Sequence, residues 1–409
     1  MQSLHRKKRQ VQYLLFRMKT IYLDNASTTR TREEVINEMS KYFSEKYGNP
    51  SSFHFKGLEA KNALENSRKT IAKLINAKPN EIYFTGSGTE SINLAMQGVV
   101  RANKDKGRHI ITTNVEHHAV LETVKFLESR SFDITILKAD EFGRVTSKQI
   151  EREIKAGTIL VSVIFANNEI GTINNIQEIG KLCREKGIAF QTDACQAAEY
   201  LDINVEKLNV DLLTLNGSKI YGQKGVGMLY VKEGISIEPI IYGGGQENNL
   251  RSGTENIPAI VGFAKAFELA TKEKTKESKR LIKLRDYIIK ELLKISKTRL
   301  NGHPTQRMPN NVNISFMDVE GESILLYLDK YGICASTGSA CSSKSLEPSH
   351  VLTGIGLAEE VAHGAIRFSL GKYNTMNDVR FTIKKMQEII KILRSISPVK
   401  IEVENNEKY

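Results

Sequence analysis

Three short segments carry residue types that do chemistry together. Leu215-Asn216-Gly217-Ser218-Lys219-Ile220-Tyr221-Gly222 places a lysine just beyond a β-rich run, where its amine could condense with an aldehyde. Phe190-Gln191-Thr192-Asp193-Ala194-Cys195-Gln196 ends an apolar strand pattern on an acid. A desolvated aspartate is costly unless it meets a cation. Thr85-Gly86-Ser87-Gly88-Thr89-Glu90 follows the strand-like Ile82-Tyr83-Phe84 and opens a helical pattern bearing Ile92, Ala95, Met96 and Val99. Glycines and hydroxyls at a helix N-terminus suit a phosphate, because free N–H groups and the dipole face it. The loop is neither a Walker A sequence nor GxGxxG. Taken singly, each segment has an ordinary reading: a surface lysine, a carboxylate capping a loop, tight-turn glycines under a threonine cap. Together they meet the needs of pyridoxal phosphate: a lysine for the Schiff base, an acid that keeps the ring nitrogen protonated, and a phosphate cup.

The surrounding pattern supplies elements to position them. From about residue 60 to 270, helical stretches such as Glu59–Ile75 and Glu90–Val100 alternate with short β-rich runs. The runs are His109–Thr113, Ile134–Leu137, Ile159–Ile164, Ile188–Thr192, Asp211–Leu215 and Gly227–Val231. This predicts an α/β fold with a mostly parallel sheet covered on both faces, and ligands beyond the carboxyl ends of its strands. Around 271–297 the sequence turns into a Lys/Glu-rich amphipathic helix with Leu281, Leu284, Ile288, Leu292 and Ile295 on one stripe. A smaller α+β domain follows and ends in a helix. There Thr375-x-x-Asp378 reads as a capping box, and Val379, Ile383, Met386, Ile390 and Leu393 share a face. The expected division is a basic extension at 1–19, an N-terminal arm at 20–34 joining the small domain, a large cofactor domain at 35–275, a small domain at 276–397 and a polar tail at 398–409.

A length of 409 residues favours two or three domains, and 40% hydrophobic with 26% charged residues is the composition of a soluble globular protein. The longest apolar stretch, Ile159 to Ala166, is far below the roughly 20 residues of a membrane helix. The net charge of +12 includes Arg6, Lys7, Lys8, Arg9 and Arg17 in an acid-free start, so the remaining excess is diffuse and specifies no nucleic acid. Three readings of residues 1–17 stand side by side: a start-site artefact or disordered tail, an organellar targeting peptide, or a functional basic arm. Cys183, Cys195, Cys334 and Cys341 have no zinc or redox spacing, so no metal site is expected. Few thiols and no secretory signal suggest a reducing compartment, the cytoplasm, or an organellar matrix if residues 1–17 are a targeting peptide.

Beyond these segments, several others are similar to those of cysteine desulfurases. They include Tyr22-Leu23-Asp24-Asn25-Ala26-Ser27-Thr28-Thr29, Gly48-Asn49-Pro50-Ser51-Ser52, Thr112 to Val120 with Glu116-His117-His118, and Asn167-Asn168-Glu169-Ile170-Gly171. Gly243 to Glu247, Arg251-Ser252-Gly253-Thr254, Ser336 to Ser343 around Cys341, and Ala365 to Gly371 around Arg367 belong to the same likeness. The resemblance runs from about 20 to 397. It implies a PLP-dependent transferase fold of the aspartate-aminotransferase type, with a seven-stranded sheet in the large domain. It also implies a homodimer, and conversion of L-cysteine to L-alanine with the sulfur kept as an enzyme persulfide.

By position, Lys219 resembles the Schiff-base lysine, Asp193 the partner of the pyridinium, and His117 the residue that stacks on the ring and helps move protons. Gly88, Thr89, Asn216, Ser218 and Thr254 match phosphate positions, Thr254 reaching across the dimer interface. Asn168 and Gln196 match positions that contact substrate or the ring hydroxyl, and Arg367 the clamp for the substrate carboxylate, where a guanidinium fork fits a planar anion. Cys341, among Ser, Thr, Gly and Ala, resembles the persulfide-forming cysteine on the longer loop of the iron–sulfur-cluster class. A sulfur-acceptor protein such as an iron–sulfur scaffold, or thio-cofactor and tRNA thiolation, would then receive the sulfur; the C-terminal tail departs from tails that dock such a scaffold. Cys334 reads as strand core, Cys183 and Cys195 as structural. A related lyase such as selenocysteine lyase would act without Cys341, and a degenerate sulfur-transfer adaptor would bind partners without catalysis.

The chain departs from the family around the lysine. The usual pattern is Ser-Gly-His-Lys, against Asn216-Gly217-Ser218-Lys219 here, and Gln223 replaces the common proline after it. Asn and Ser still donate hydrogen bonds, but a possible imidazolium charge is lost. A charged hydrogen bond contributes about 1.5–3 kcal/mol against about 1 for a neutral one. Ser218→His is therefore expected to tighten cofactor retention, and equal dissociation constants for wild type and variant would refute this.

Overall fold

A computed structural model describes residues 19–337 and 348–397; Cys341 and both terminal segments lie outside the described residues. The chain opens with β1 (Ile21–Tyr22), α1 (Glu33–Ser44) and α2 (Phe55–Ile75). Strands and helices then alternate as β2 (Ile82–Thr85), α3 (Gly88–Ala102), β3 (His109–Thr113), α4 (His118–Glu128), β4 (Asp133–Leu137) and α5 (Ser147–Glu153). The run continues through β5 (Thr158–Ser162), α6 (Ile176–Lys186), β6 (Ala189–Asp193), α7 (Val205–Leu208), β7 (Leu212–Asn216) and β8 (Gly227–Val231). The six β-rich runs read from the sequence are all strands, with bounds shifted by two residues at most.

β2 to β8 form one seven-stranded sheet in the order β2-β8-β7-β6-β5-β3-β4. β8 alone runs against its neighbours, so β2 points the same way as the parallel strands. Every residue of β3, β5 and β8 is buried, as expected where helices cover both faces, whereas edge strand β4 exposes Ile136. Strand order reverses between β3 and β5, the kind of switch point that opens a crevice at the carboxyl ends.

α8 (Ile257–Leu292) departs from the expectation of a helix starting near 271. It is one unbroken helix of 36 residues, roughly 54 Å at 1.5 Å per residue. Asn256 caps it by accepting from the Ala259 N–H at 3.3 Å, Pro258 lies in the first turn, and neither glycine nor proline interrupts it after Gly262. Its first half buries Phe263, Phe267 and Ala270, and its second half buries Leu281, Leu284, Ile288 and Leu292. The expected boundary at 275/276 therefore falls inside one rigid element.

Beyond it lie β9 (Thr298–Leu300), β10 (Asn311–Phe316), α9 (Gly321–Lys330), β11 (Ile333–Cys334), α10 (His350–Gly354), α11 (Glu359–His363), β12 (Ala365–Ser369) and α12 (Met376–Ile396). β12, β10 and β9 make an antiparallel sheet, and β1 pairs in parallel with β11. α12 begins in the capping box read from the sequence, with Thr375 Oγ1 accepting from Asp378 N and Asp378 Oδ2 accepting from Thr375 N.

The arm at 21–32 joins the two halves by hydrogen bonds. Asn25 Nδ2 donates to the Ser369 carbonyl at 2.9 Å, Thr29 N donates to the Ser218 carbonyl at 2.8 Å, and Arg32 N donates to the Tyr221 carbonyl at 3.1 Å. Tyr221 Oη accepts from Lys372 N at 2.6 Å, closing the joint from the other side. Gly371 sits inside this joint: a Cβ there would collide with Tyr221 Oη and lie 2.5 Å from Asn25 Oδ1. Gly371→Ala is expected to lower unfolding stability by about 2 kcal/mol, as overpacking does, which denaturant melts would measure.

Candidate active site

A cavity of about 370 Å³ opens at the carboxyl ends of the strands that share one direction. β2 delivers Ser87, Gly88 and Thr89; β3 delivers His117; β5 delivers Ile164 and Asn168; β6 delivers Asp193; β7 delivers Asn216 and Lys219. Gln196 and Arg367 complete the wall from the loop after β6 and from β12.

At one end, the connection from β2 to α3 is built around an N-cap. Ser87 Oγ accepts the Glu90 N–H at 3.1 Å and its carbonyl takes the Ser91 N–H at 3.0 Å. The cap is Ser87, not a threonine. The amides of Gly88 and Thr89 stand outside the helix ladder, as first-turn amides do. A side chain at 88 has no room, because a Cβ would lie 2.9 Å from Cys195 Sγ and 3.3 Å from Asn216 Nδ2. Glycine there keeps a cradle open in front of two free amides, which suits an anion such as a phosphate.

Asp193 is 6% exposed and receives the Cys195 N–H at 2.9 Å. Lys219 follows β7 in a tight turn, and its Nζ donates to the Ser27 carbonyl. His117 caps α4, its Nδ1 accepting the Ala119 N–H at 3.0 Å, which leaves Nε2 as the nitrogen that carries the proton in the neutral ring. Burial lowers its pKa, Lys219 and His118 push the same way, and Asp193 opposes them. A buried acid, a primary amine, a neutral imidazole and an anion cradle in one cavity form a donor set that fits pyridoxal phosphate.

Arg367 is 2% exposed in β12, an edge strand of the C-terminal sheet. Its Nη1 donates to the Asn168 carbonyl at 3.0 Å, and its Nη2 to Asp24 Oδ1 at 2.8 Å and Ser27 Oγ at 2.7 Å. Nε is buried and has no partner among the described residues. A guanidinium on a cavity wall is suited to a small carboxylate. Gln196 is held by its Nε2 donating to the Ala26 carbonyl at 2.9 Å.

Not every expected residue reaches the cavity. Ser218 Oγ donates to Asn216 Oδ1 at 3.1 Å and Ser218 is absent from the wall, so in this chain it orients Asn216. Thr254 is exposed, away from the cavity. His118 opens α4 and packs its ring against His350 at 4.6 Å. Cys195 lies past β6 rather than in it and lines the wall; burial, then Asp193, push its thiol pKa well up. Cys334 is in β11 but only half-buried, beside a shallow groove against α9. Cys183 is buried in α6, its thiol pushed up to about 12 by burial. Cys341 lies outside the described residues.

Sequence reasoning gave no role to Asp24 and Ser27, whose segment was noted only for its likeness, nor to two buried acids. Glu116 Oε1 accepts from Ile164 N and Thr113 Oγ1, both at 2.8 Å, tying the loops after β3 and β5, while Oε2 is buried without a partner. Burial pushes Glu116 up to about 8. Glu169 Oε2 accepts from Ser349 Oγ at 2.5 Å, and burial lifts it to about 7. Both stand in polar loops just past strands, where nothing in the sequence marks an acid as buried.

A carboxyl raised on folding contributes most below its unfolded pKa, near 4.5, and loses that contribution as pH climbs towards 8. Glu116→Gln is expected to flatten the fall in unfolding stability between about pH 5 and 8, checked by denaturant melts across that range.

The aminotransferase class-V family matches residues 21–381 of the chain. "Cysteine desulfurase IscS" of Methanosarcina thermophila is 51% identical over 381 residues, covering 93% of this chain and 94% of that protein. "Cysteine desulfurase IscS" of Dictyoglomus turgidum is 52% identical over 389 residues, covering 95% and 99%. Among solved structures, a "NifS-like protein" superposes with a TM-score of 0.86 at 37% identity, covering 91% of this chain and all of that one.

Proposed function

This chain belongs to the class-V aminotransferase family, among the cysteine desulfurases, and from that membership we propose that it converts L-cysteine to L-alanine and passes the sulfur to an acceptor protein. Iron–sulfur cluster assembly is the destination we favour, with other thiolated products as further uses. The family works with pyridoxal phosphate, which when bound supplies the electron sink for bond changes next to the substrate's amino group.

One observation carries the reading: Lys219, Asp193, the Gly88–Thr89 amides and Arg367 face one cavity although they come from four separate parts of the chain. Gly88, Thr89 and Asn216 would hold the phosphate and Asp193 the ring nitrogen. His117 would cover the ring, and Gln196 and Asn168 would contact its edge or the substrate. Arg367 would bind the substrate carboxylate, oriented by Asp24, Ser27 and the Asn168 carbonyl. Lys219, a base when neutral, would hold and return the proton at the substrate's Cα. Ser218 would act through Asn216, and Thr254, exposed here, would serve the neighbouring site of a homodimer.

Cys341 is our candidate for receiving the sulfur. Burial raises the pKa of Cys183, Cys195 and Cys334, which makes each a poor thiolate nucleophile and so supports this choice. These three thiols are free, which agrees with a reducing compartment such as the cytoplasm. No helix among the described residues is long and apolar enough to cross a membrane.

The purified chain is expected to be yellow and to form alanine from cysteine with equimolar sulfide under a reductant. Lys219→Ala should abolish turnover, and Arg367→Lys should raise KM about tenfold with a smaller change in kcat, as loss of a charged fork predicts. Cys341→Ser should stop sulfur transfer; undiminished turnover of cysteine by that variant would favour a lyase that works without a thiol. Colourless protein that stays colourless with added pyridoxal phosphate would overturn the reading.

A further inference from the structure

Glu90 is the third residue of α3, so its carboxylate lies within one turn of the Gly88 and Thr89 amides. Both of its oxygens are engaged. Oε2 accepts the Gly86 N–H at 2.9 Å, and Oε1 accepts from Arg251 Nε at 2.7 Å, with Arg251 Nη2 3.4 Å from Oε2. The two side chains are only 20% and 24% exposed, which limits screening by solvent. Neither residue lines the cavity.

Arg251 is itself held in place. It forms a parallel bridge with Ile241, and Glu247, four positions earlier, is buried in a bidentate pair with Arg68. The Glu247 carboxylate also accepts the Phe84 N–H at 2.7 Å. The 247–251 segment thus grips the connection from β2 to α3 on both sides of its bend, at Phe84 before it and at Glu90 after it.

An anion seated at the N-terminus of α3 would be repelled by the nearby Glu90 carboxylate. We propose that Arg251 is a positioning residue for the cofactor phosphate: it cancels the charge of Glu90 and steadies the carboxylate that holds the Gly86 amide, without touching the phosphate. This rests on the reading that pyridoxal phosphate binds with its phosphate at Gly88 and Thr89.

The test compares affinity for pyridoxal phosphate with affinity for pyridoxal, which lacks the anion, using the full-length chain stripped of cofactor. R251Q leaves Glu90 unopposed, and the preference for the phosphorylated form is expected to fall on the order of tenfold, the scale of one poorly screened charge about a helical turn away. R251K should stay near wild type, and the double variant E90Q/R251Q should recover most of the preference. Recovery is the result a direct arginine–phosphate contact, or a merely structural role, would not give. A double variant as weak as R251Q, or equal losses for both probes, would overturn the proposal. If R251Q does not fold, E90Q still decides: it should retain the phosphorylated form at least as tightly as wild type, and a tenfold loss would refute the idea. Wild-type protein that binds neither probe would instead overturn the functional reading beneath it.

Discussion

A buried guanidinium must be surrounded by acceptors, and the cavity of this protein is organised around meeting that demand for Arg367. The costs of desolvating an ion run to several kcal/mol, so a side chain 2% exposed persists only with partners in good geometry. Those partners come from the arm, through Asp24 and Ser27, and from the loop after β5, through the Asn168 carbonyl. Residues more than 300 positions apart are thereby fixed against one another. Ser27 does this twice, because its carbonyl also accepts from Lys219 Nζ. The arm is the piece through which the C-terminal sheet and the end of β7 share a wall.

Charge balance follows the same logic throughout the site region. Asp193 is buried in the same wall as Lys219 and His117, while Glu90 meets Arg251 and Glu247 meets Arg68. Among the described residues, Glu116 and Glu169 have no such cation in hydrogen-bond contact, and burial lifts their pKa towards neutrality. The two kinds of acid do different things. Paired carboxylates hold loops in register at fixed charge, whereas the lifted ones tie loops together as near-neutral hydrogen-bonding groups.

The parallel sheet was legible because its strands are buried on both faces and read as short apolar runs between helical periods. The seventh strand, β2, was visible from Ile82-Tyr83-Phe84 for the same reason. The start of α8 was missed because its first half is apolar enough to lose the polar face that marks an amphipathic helix; only the Asn256-Ile257-Pro258 start signal remained. The cap of α3 was placed on threonine rather than Ser87, since either hydroxyl suits a cap and only the backbone conformation chooses between them.

Local chemistry determined which residues were worth inspecting: a lysine, an acid and a glycine-rich turn each stand directly after a strand, and the sequence alone locates strand ends. What the tertiary structure decided is which of them meet. Lys219, Asp193, Gly88, Asn168 and Arg367 share one cavity, whereas Ser218 turns to Asn216 and Thr254 stays on the surface. Asp24, Ser27 and Arg251 carried no local signal, because their importance lies in contacts hundreds of residues away or across a sheet edge. Strand and helix periods are set by neighbours in the chain and can be read there. The pairing of a buried charge is set by whatever the fold brings within 3 Å, and no spacing in the sequence records that.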